Sequence, residues 1–468
     1  MISPWLGILA VLLTLAAMFG LLKLAERLFH PHPELLRKFM HVGMGLIVAC
    51  FPWVFAERWP VLLLAGLTAA GLLAVKYVPS LRDGVGSVLS AVGRRSFGEI
   101  LFPAAVAALI LLSRGDKLLF VVPMLIMVLA DTVAALVGLA YGKVRYLTSD
   151  GFKSAEGSIA FFTIAFFSVH VPILLFRPDV GRPESLLIAA IIGLLAMLIE
   201  AISAHGLDNF LIPVGAFGFL RLYLHATQHA LLIRLAATVA LLGFALSWRR
   251  RSTLDDSALI ACALFGYGVA MLGGPVWMIG PAALFLIHAW MWPRTHPDRE
   301  HTIYAVASVA FVALLWLGLE VAWGDGWEFL FPYAVGFSAH LAIIGVSQLA
   351  VDSPPRKIRA HVTVSILAGV ALLAVQMAPF FLHVGTTHLL SRSGVILGFG
   401  LCGISAGAVG FLLLMPRIYG EHRSIARIHL AGFSCALLAT VIAATALPVL
   451  VNDVPTSKPF KALEGRGG

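Results

Sequence analysis

Five polar stretches interrupt an otherwise apolar chain, and each carries residue types used to handle phosphate or a divalent cation. Asp131 stands in "MLIMVLADTVAALVGLAYGK", with apolar residues on both sides. A charge inside an apolar span is costly, so it marks a functional position by default. "KSAEGS" brings Lys153, Glu156 and Ser158 to what reads as a helix start. Free N–H groups at a helix start attract phosphate, and lysine adds a compact positive charge. A carboxylate among them makes sense if Mg²⁺ bridges carboxylates and phosphates. The plainer reading of the same stretch is capping, with Ser154 as N-cap and Gly157 at the third helical position.

"RKFMHVGMG" adds Arg37, Lys38 and His41. His41 follows Lys38 by three positions, so the two share one side of a helix. "LIEAISAHGLDNFLIP" supplies Glu200, Asp208 and Asn209, which could ligate a metal, accept a proton from a hydroxyl or cap the next helix. "RRSFGEILFP" contributes Arg94, Arg95 and Glu99, and Lys143 closes the Asp131 segment. In this reading Asp131, Glu156 and Asp208 are the catalytic candidates. Arg37, Lys38, His41, Lys143, Lys153 and Ser158 bind nucleotide phosphates. Glu99, Glu200 and Asn209 form a polar floor, and Asp131 with Glu156 holds Mg²⁺. Phosphoryl transfer needs such parts: cations that spread charge, a metal on carboxylates, and a positioned attacking oxygen. His225 and His229 are spaced for a shared metal, but no carboxylate stands near them, so they read as an interfacial pair.

The elements that must position these groups are membrane helices. Of 468 residues, 60% are hydrophobic and 12% charged, and mean hydropathy is +0.94. Apolar runs long enough to cross a bilayer recur along the whole chain. The runs are continuous and do not alternate, which argues against a β-barrel. The expectation is an all-α polytopic bundle of about 14–16 spans. The segment after Asp208 is short and broken by Pro213 and glycines, so it is either a span or re-entrant. The net charge of +9 sits mostly in short loops. That distribution follows the positive-inside rule and excludes a nucleic-acid partner. Alternating basic loops place every candidate group on the cytoplasmic side. The four cysteines lie singly in apolar segments and read as packing residues. The first apolar stretch lacks a basic leader and a small-residue cleavage site, so a retained span is expected.

"SWRRRSTLDDS" is the best boundary. It divides the chain into residues 1–250, which hold nearly all membrane-depth acids, and residues 251–468, a second helical region of unassigned role. "RKIRAHV" at Arg356 echoes "RKFMHV" at Arg37, but no partner acids follow it.

Taken in order, "RKFMHVGMG", "FGEILFP", "ADTVAALVGLAYGK", "KSAEGSIAFF" and "EAISAHGLDNFLIP" resemble the membrane polyprenol kinase family. That family includes phytol and farnesol kinases, dolichol kinases and the CTP-dependent diacylglycerol kinases. The resemblance covers roughly residues 20–245. It implies Mg²⁺-assisted transfer of the γ-phosphate of CTP, or of ATP or UTP, to an isoprenoid alcohol such as phytol, farnesol or a polyprenol. It also implies a bacterial inner-membrane location with the site facing the cytoplasm, and it is compatible with a homo-oligomer. No GxxxxGK[ST] motif is present, so a soluble P-loop kinase is not supported. A phosphatidate cytidylyltransferase-like enzyme is the nearest alternative, and the Pro-Gly-His-Gly-Gly core of that group is missing here. A multi-span transporter is the other alternative.

Overall fold

The computed structural model describes residues 3–31, 33–77, 98–148, 151–203, 206–248, 253–291, 301–324, 327–352, 358–384, 389–418 and 424–451. Arg94, Arg95 and the Arg356–Lys357 echo lie outside these residues. Of the described residues, 86% are helical. Eleven described helices are long and apolar enough to cross a membrane, and four shorter apolar helices accompany them. The chain is therefore an all-α polytopic bundle. Helices satisfy every backbone group internally, which lipid demands. Large apolar side chains such as Trp5, Leu9, Leu13, Leu175 and Leu413 point outward, as a lipid-facing surface allows.

Contacts divide the chain into two compact units, Met1–Ala240 and Leu241–Gly468. The first unit begins with α1 (Pro4–Phe29), α2 (Pro33–Ala49), the short α3 (Phe51–Val54) and α4 (Trp59–Tyr77). α5 (Gly98–Leu112) follows. The next span, Lys117–Tyr141, is built from α6 (Lys117–Leu125), a π-helical turn (Ile126–Ala130) and α7 (Asp131–Tyr141). Asp116 caps its start by accepting from the Leu118 and Leu119 amides at 2.9 and 3.2 Å. This span is the centre of the unit and packs against α2 and against α8 (Ala155–Phe176) and α10 (Asp208–Tyr223). α9 (Arg182–Ile202) packs on α8 and α10, and the series ends in α11 (Gln228–Trp248), whose residues from Leu241 onward belong to the second unit.

A β-hairpin joins α7 to α8. β1 (Arg145–Thr148) pairs antiparallel with β2 (Gly151–Ser154), with Tyr146 opposite Lys153. Gly151 takes φ +119° at the head of β2, which glycine adopts without a Cβ penalty. The sequence reading treats this region as loop and helix start. Two strands of four residues are too short to show alternation, although the Asp150–Gly151 pair is a hairpin signal. Ser154 then caps α8, its Oγ accepting from the Gly157 amide at 3.2 Å.

α7 and α8 cross closely. A Cβ added to Gly157 would lie 3.0 Å from the Ala134 carbonyl oxygen and 3.4 Å from Gly138 Cα. The small face Ala134–Gly138 thus meets a glycine, and the two backbones approach without intervening side chains.

The second unit comprises α12 (Asp256–Leu272), α13 (Ile279–Met291), α14 (Ile303–Trp323), α15 (Leu330–Asp352) and α16 (Ile358–Val384). It continues with α17 (Leu389–Ile418), α18 (Ile425–Ala444) and α19 (Leu447–Val451). α15 is its axis, packed by α14, α16, α17 and α18. Phe331, Tyr333, Phe337, Leu341 and Val346 of α15 are buried. Gly403 allows α17 to approach α18, since a Cβ there would stand 2.6 Å from the Ala439 carbonyl oxygen.

Candidate active site

The helix carrying "RKFMHVGMG" begins at Pro33, earlier than hydropathy places it. Lys38 and His41 therefore sit inside the bundle. Lys38 is buried at 5% exposure. Its Nζ donates to Asp131 Oδ2 at 2.7 Å, across from α2 to the first residue of α7. His41 Nε2 stands 3.9 Å from the same oxygen. That nitrogen is buried and has no hydrogen-bond partner among the described residues. The His41 ring packs edge-on against Phe102 of α5, and the Met127 carbonyl of the π turn is also within its reach. Asp131 thus faces a lysine and an imidazole. The Thr132 hydroxyl beside it is also buried without a partner among the described residues.

A second pair lies within electrostatic reach. Lys153, on β2, donates to Glu200 Oε1 at 2.7 Å and also to the Glu200 backbone carbonyl. Asp131 feels Lys38 and Lys153 together, and Glu200 feels Asp131 and Asp208. Asp208 opens α10, outside the eleven long spans. Burial pushes its carboxyl above the ordinary carboxylate range, and the nearby Asp131 charge pushes the same way, against the pull of Lys153. The Asn209 amide donates to Asp208 Oδ1 at 2.9 Å, and Asn209 Nδ2 donates to the Gly98 carbonyl at 3.0 Å. α10 is a single helix from Asp208 through Pro213 to Tyr223.

Five elements therefore bring Lys38, His41, Asp131, Lys153, Glu200 and Asp208 together. The other candidates stand apart. Glu156 turns its carboxylate onto the Val144 amide, at 3.2 and 3.3 Å. It clamps the entry of the hairpin and is not directed onto Asp131. Ser158 Oγ is shared between the Tyr146 hydroxyl at 2.8 Å and the Ser154 carbonyl at 3.3 Å. Lys143 and Arg37 are exposed, one beside the clamped hairpin and the other on α2. Glu99 is exposed in the first turn of α5, and its neighbour Gly98 is the residue that reaches Asn209. His225 and His229 are exposed.

Two features of this arrangement were absent from the sequence reading. One is the π turn that ends at Ala130, immediately before Asp131. Single π turns occur mostly inside α-helices and often at functional sites. The other is the Glu200 carbonyl as a second acceptor for Lys153, which side-chain chemistry alone does not signal.

Chemically, the cluster alternates lysines with carboxylates. Each lysine is neutralised by a carboxylate that a phosphate oxygen could replace as acceptor. Among the described residues no three His, Cys, Asp or Glu gather as metal ligands, so an all-protein cage is not built here. Mg²⁺ is commonly held by one or two carboxylates with substrate phosphates and waters. Asp131, with two lysines and an orphaned imidazole nitrogen around it, fits that form.

No family model matches the chain, and no solved structure does. Over 215 residues it is 29% identical to a phytol kinase from Synechocystis, an alignment covering 45% of this chain and 89% of that relative. This similarity supports a phytol/polyprenol kinase-like family.

Proposed function

We propose, from the support that this similarity gives to a phytol/polyprenol kinase-like family, that the chain is an integral membrane kinase acting on an isoprenoid alcohol. The donor in this reading is CTP, with ATP or UTP as alternatives, and the reaction takes place at the cytoplasmic face. The observation that carries it is the buried Lys38–Asp131 pair set within reach of Lys153, Glu200 and Asp208. A lone buried ion pair is weak evidence of function, because structural pairs are common. Two lysines and three carboxylates converging from five elements are harder to explain as packing, and they match the needs of phosphoryl transfer.

In this reading Lys38 and Lys153 exchange their carboxylate partners for nucleotide phosphate oxygens when the donor binds. His41 Nε2 donates to a phosphate oxygen or to Asp131. Asp131, freed from Lys38, orients the donor. Mg²⁺, held on Asp131 and on phosphate oxygens, would neutralise charge on the transferring group. The lipid hydroxyl oxygen attacks the γ-phosphorus, the bond from that phosphorus to the β–γ bridging oxygen breaks, and the nucleoside diphosphate leaves. Asp208 accepts the hydroxyl proton, since a carboxyl with a raised proton affinity is a better base. Glu200 and Asn209 hold Lys153 and the start of α10 in place. Glu156 keeps the hairpin that carries Lys153 against α8.

The test uses purified full-length protein with radiolabelled CTP or ATP and a panel of phytol, farnesol, longer polyprenols and diacylglycerol. Labelled phosphate should appear on at least one isoprenoid alcohol, and Asp131→Asn or Lys153→Ala should remove most of it. No labelled lipid from any alcohol ends the proposal. Labelled cytidylyl lipid in place of phosphorylated lipid would favour nucleotidyl transfer.

A further inference from the structure

The β1–β2 hairpin presents Lys153 to the site with one face and leaves its other face unused by phosphoryl transfer. Register decides which residues stand where. Leu147 lies directly opposite Phe152, and Tyr146 opposite Lys153. Directly opposed residues share a face, and neighbours along a strand point to opposite faces. Lys153 turns inward to Glu200 in the last turn of α9, and the Tyr146 hydroxyl is 2.8 Å from Ser158 Oγ in the first turn of α8. Leu147 and Phe152 therefore turn away from both helices, and they are 40% and 70% exposed. Val144 holds the foot of β1. Its amide donates to Glu156, its carbonyl accepts from the Ala155 amide at 2.8 Å, and its side chain is exposed.

Connectivity fixes where this outer face lies. The hairpin joins the end of one membrane span, Lys117–Tyr141, to the start of the next, Ala155–Phe176, so it stands at one surface of the bilayer. Tyr146 holds it beside the first turn of α8. Leu139 and Tyr141 in the last turn of α7, and Ile159 near the start of α8, are exposed at the same ends of these two spans. The outer face thus continues a lipid-facing band.

Two exposed cations, Lys143 and Arg145, stand beside the apolar pair. Asp150, in the turn, lies outside the described residues. Apolar area together with attraction to anionic lipid is what seats a surface element at the boundary of headgroups and acyl chains. In water the same face would leave large apolar side chains exposed on two four-residue strands, and an isolated two-stranded hairpin is marginal.

We propose that the outer face of the hairpin docks on the leaflet that borders the site, with Leu147 and Phe152 in the boundary of headgroups and acyl chains and Lys143 and Arg145 on the phosphates of anionic lipids. Phe152 and Lys153 are consecutive on β2, so fixing one against the leaflet fixes the direction of the other toward Glu200. Anionic lipid thereby steadies the lysine that receives the nucleotide. That consequence rests on the phosphoryl-transfer reading, whereas the docking itself does not. Leu147 and Phe152 are positioning residues in this scheme and touch no substrate.

The experiment places a fluorescent coumarin amino acid at position 152 of the full-length protein, in nanodiscs of phosphatidylcholine alone or mixed equally with phosphatidylglycerol. Lipids bearing a nitroxide near the glycerol backbone should quench it, and a neutral water-soluble nitroxide should quench it little. The same amino acid at Leu175, which is exposed on a membrane span, is the reference. Lipid quenching should be stronger with phosphatidylglycerol, and the Lys143→Gln/Arg145→Gln double variant should lose that increment. Quenching from water without quenching from lipid overturns the proposal. Resistance to both quenchers also overturns it, because protein, such as a second copy of the chain, then covers the face. Phosphorylation of the isoprenoid alcohols is measured in the same discs. It should rise several-fold with phosphatidylglycerol, and Phe152→Ser should lose that rise while Phe152→Trp keeps it. Thermal unfolding shows which variants fold, and if Phe152→Ser does not, the quenching decides. Lipid quenching without phosphorylation in any disc retains the docking and ends the kinase reading. Phosphorylation with the label in water does the reverse.

Discussion

Lys38 and Asp131, 93 positions apart in the chain, meet at 2.7 Å with side chains only 6% and 20% exposed. The pair joins α2 to the span that centres the first unit, so it serves folding and the site together. Removing one partner strands the other as a buried charge, at a cost of about 3–5 kcal/mol. Lys38→Met and Asp131→Asn should each lower the midpoint of thermal unfolding in detergent. The double variant should be more stable than the sum of the two losses allows, because no charge is left unpaired. Additive losses would show that the two side chains do not interact.

Glu156 separates a clamp from a ligand. Its carboxylate accepts from the Val144 amide, and glutamine keeps an oxygen that can do the same. Glu156→Gln should retain most phosphoryl transfer, while Glu156→Ala should loosen the hairpin and lower activity through Lys153. Loss of turnover in Glu156→Gln, measured with saturating nucleotide, would return Glu156 to the metal site.

Gly157 tests the crossing of α7 and α8. A side chain there meets the Ala134 carbonyl at 3.0 Å from the Cβ alone. Gly157→Leu should cost about 1–3 kcal/mol through overpacking, read as a lower unfolding midpoint. Gly243→Leu is the control, since nothing stands within 4 Å of the Cβ position there.

Asp208 sets the expected pH dependence. Its carboxyl is held above the ordinary range by burial first and by Asp131 second. A base must be deprotonated to act, so activity at low substrate should rise with pH through that raised value, and Asp208→Asn should abolish the limb. For stability the sign is opposite. A carboxyl that binds its proton more tightly when folded favours the native state below its unfolded pKa, and that contribution is lost as pH rises through the folded value. Unfolding midpoints of wild type and Asp208→Asn, followed upward from pH 4, should therefore separate, the wild type falling while the neutral asparagine loses nothing. An unchanged acid limb in the variant would remove Asp208 from the proton transfer.

Much of this arrangement could be read from residue order. Long apolar runs dictate helices in lipid, and the three-residue spacing of Lys38 and His41 does bring both toward one carboxylate. The partner of Lys153 was not legible. Glu156 is three residues away in sequence, but Lys153 leaves β2 toward Glu200, 47 residues on, because the hairpin aims it across the bundle. Pairing at that distance is a property of packing, which periodicity does not encode. The hairpin itself is too short for an alternation signal.

The π turn at Ile126–Ala130 makes the first site a matter of phase. One residue more than an α-helix would use is taken up within five apolar positions, and everything after it is turned by about 100° relative to an uninterrupted helix. Hydropathy is blind to that rotation. Deleting one residue of the five would leave a span just as greasy and nearly as long, with Asp131 rotated off the line toward Lys38. Composition decides that this helix enters the membrane, but a one-residue slip in its winding decides whether its acid meets a base. Insertions and deletions here should be far less tolerated than substitutions among Ile, Leu, Met and Val.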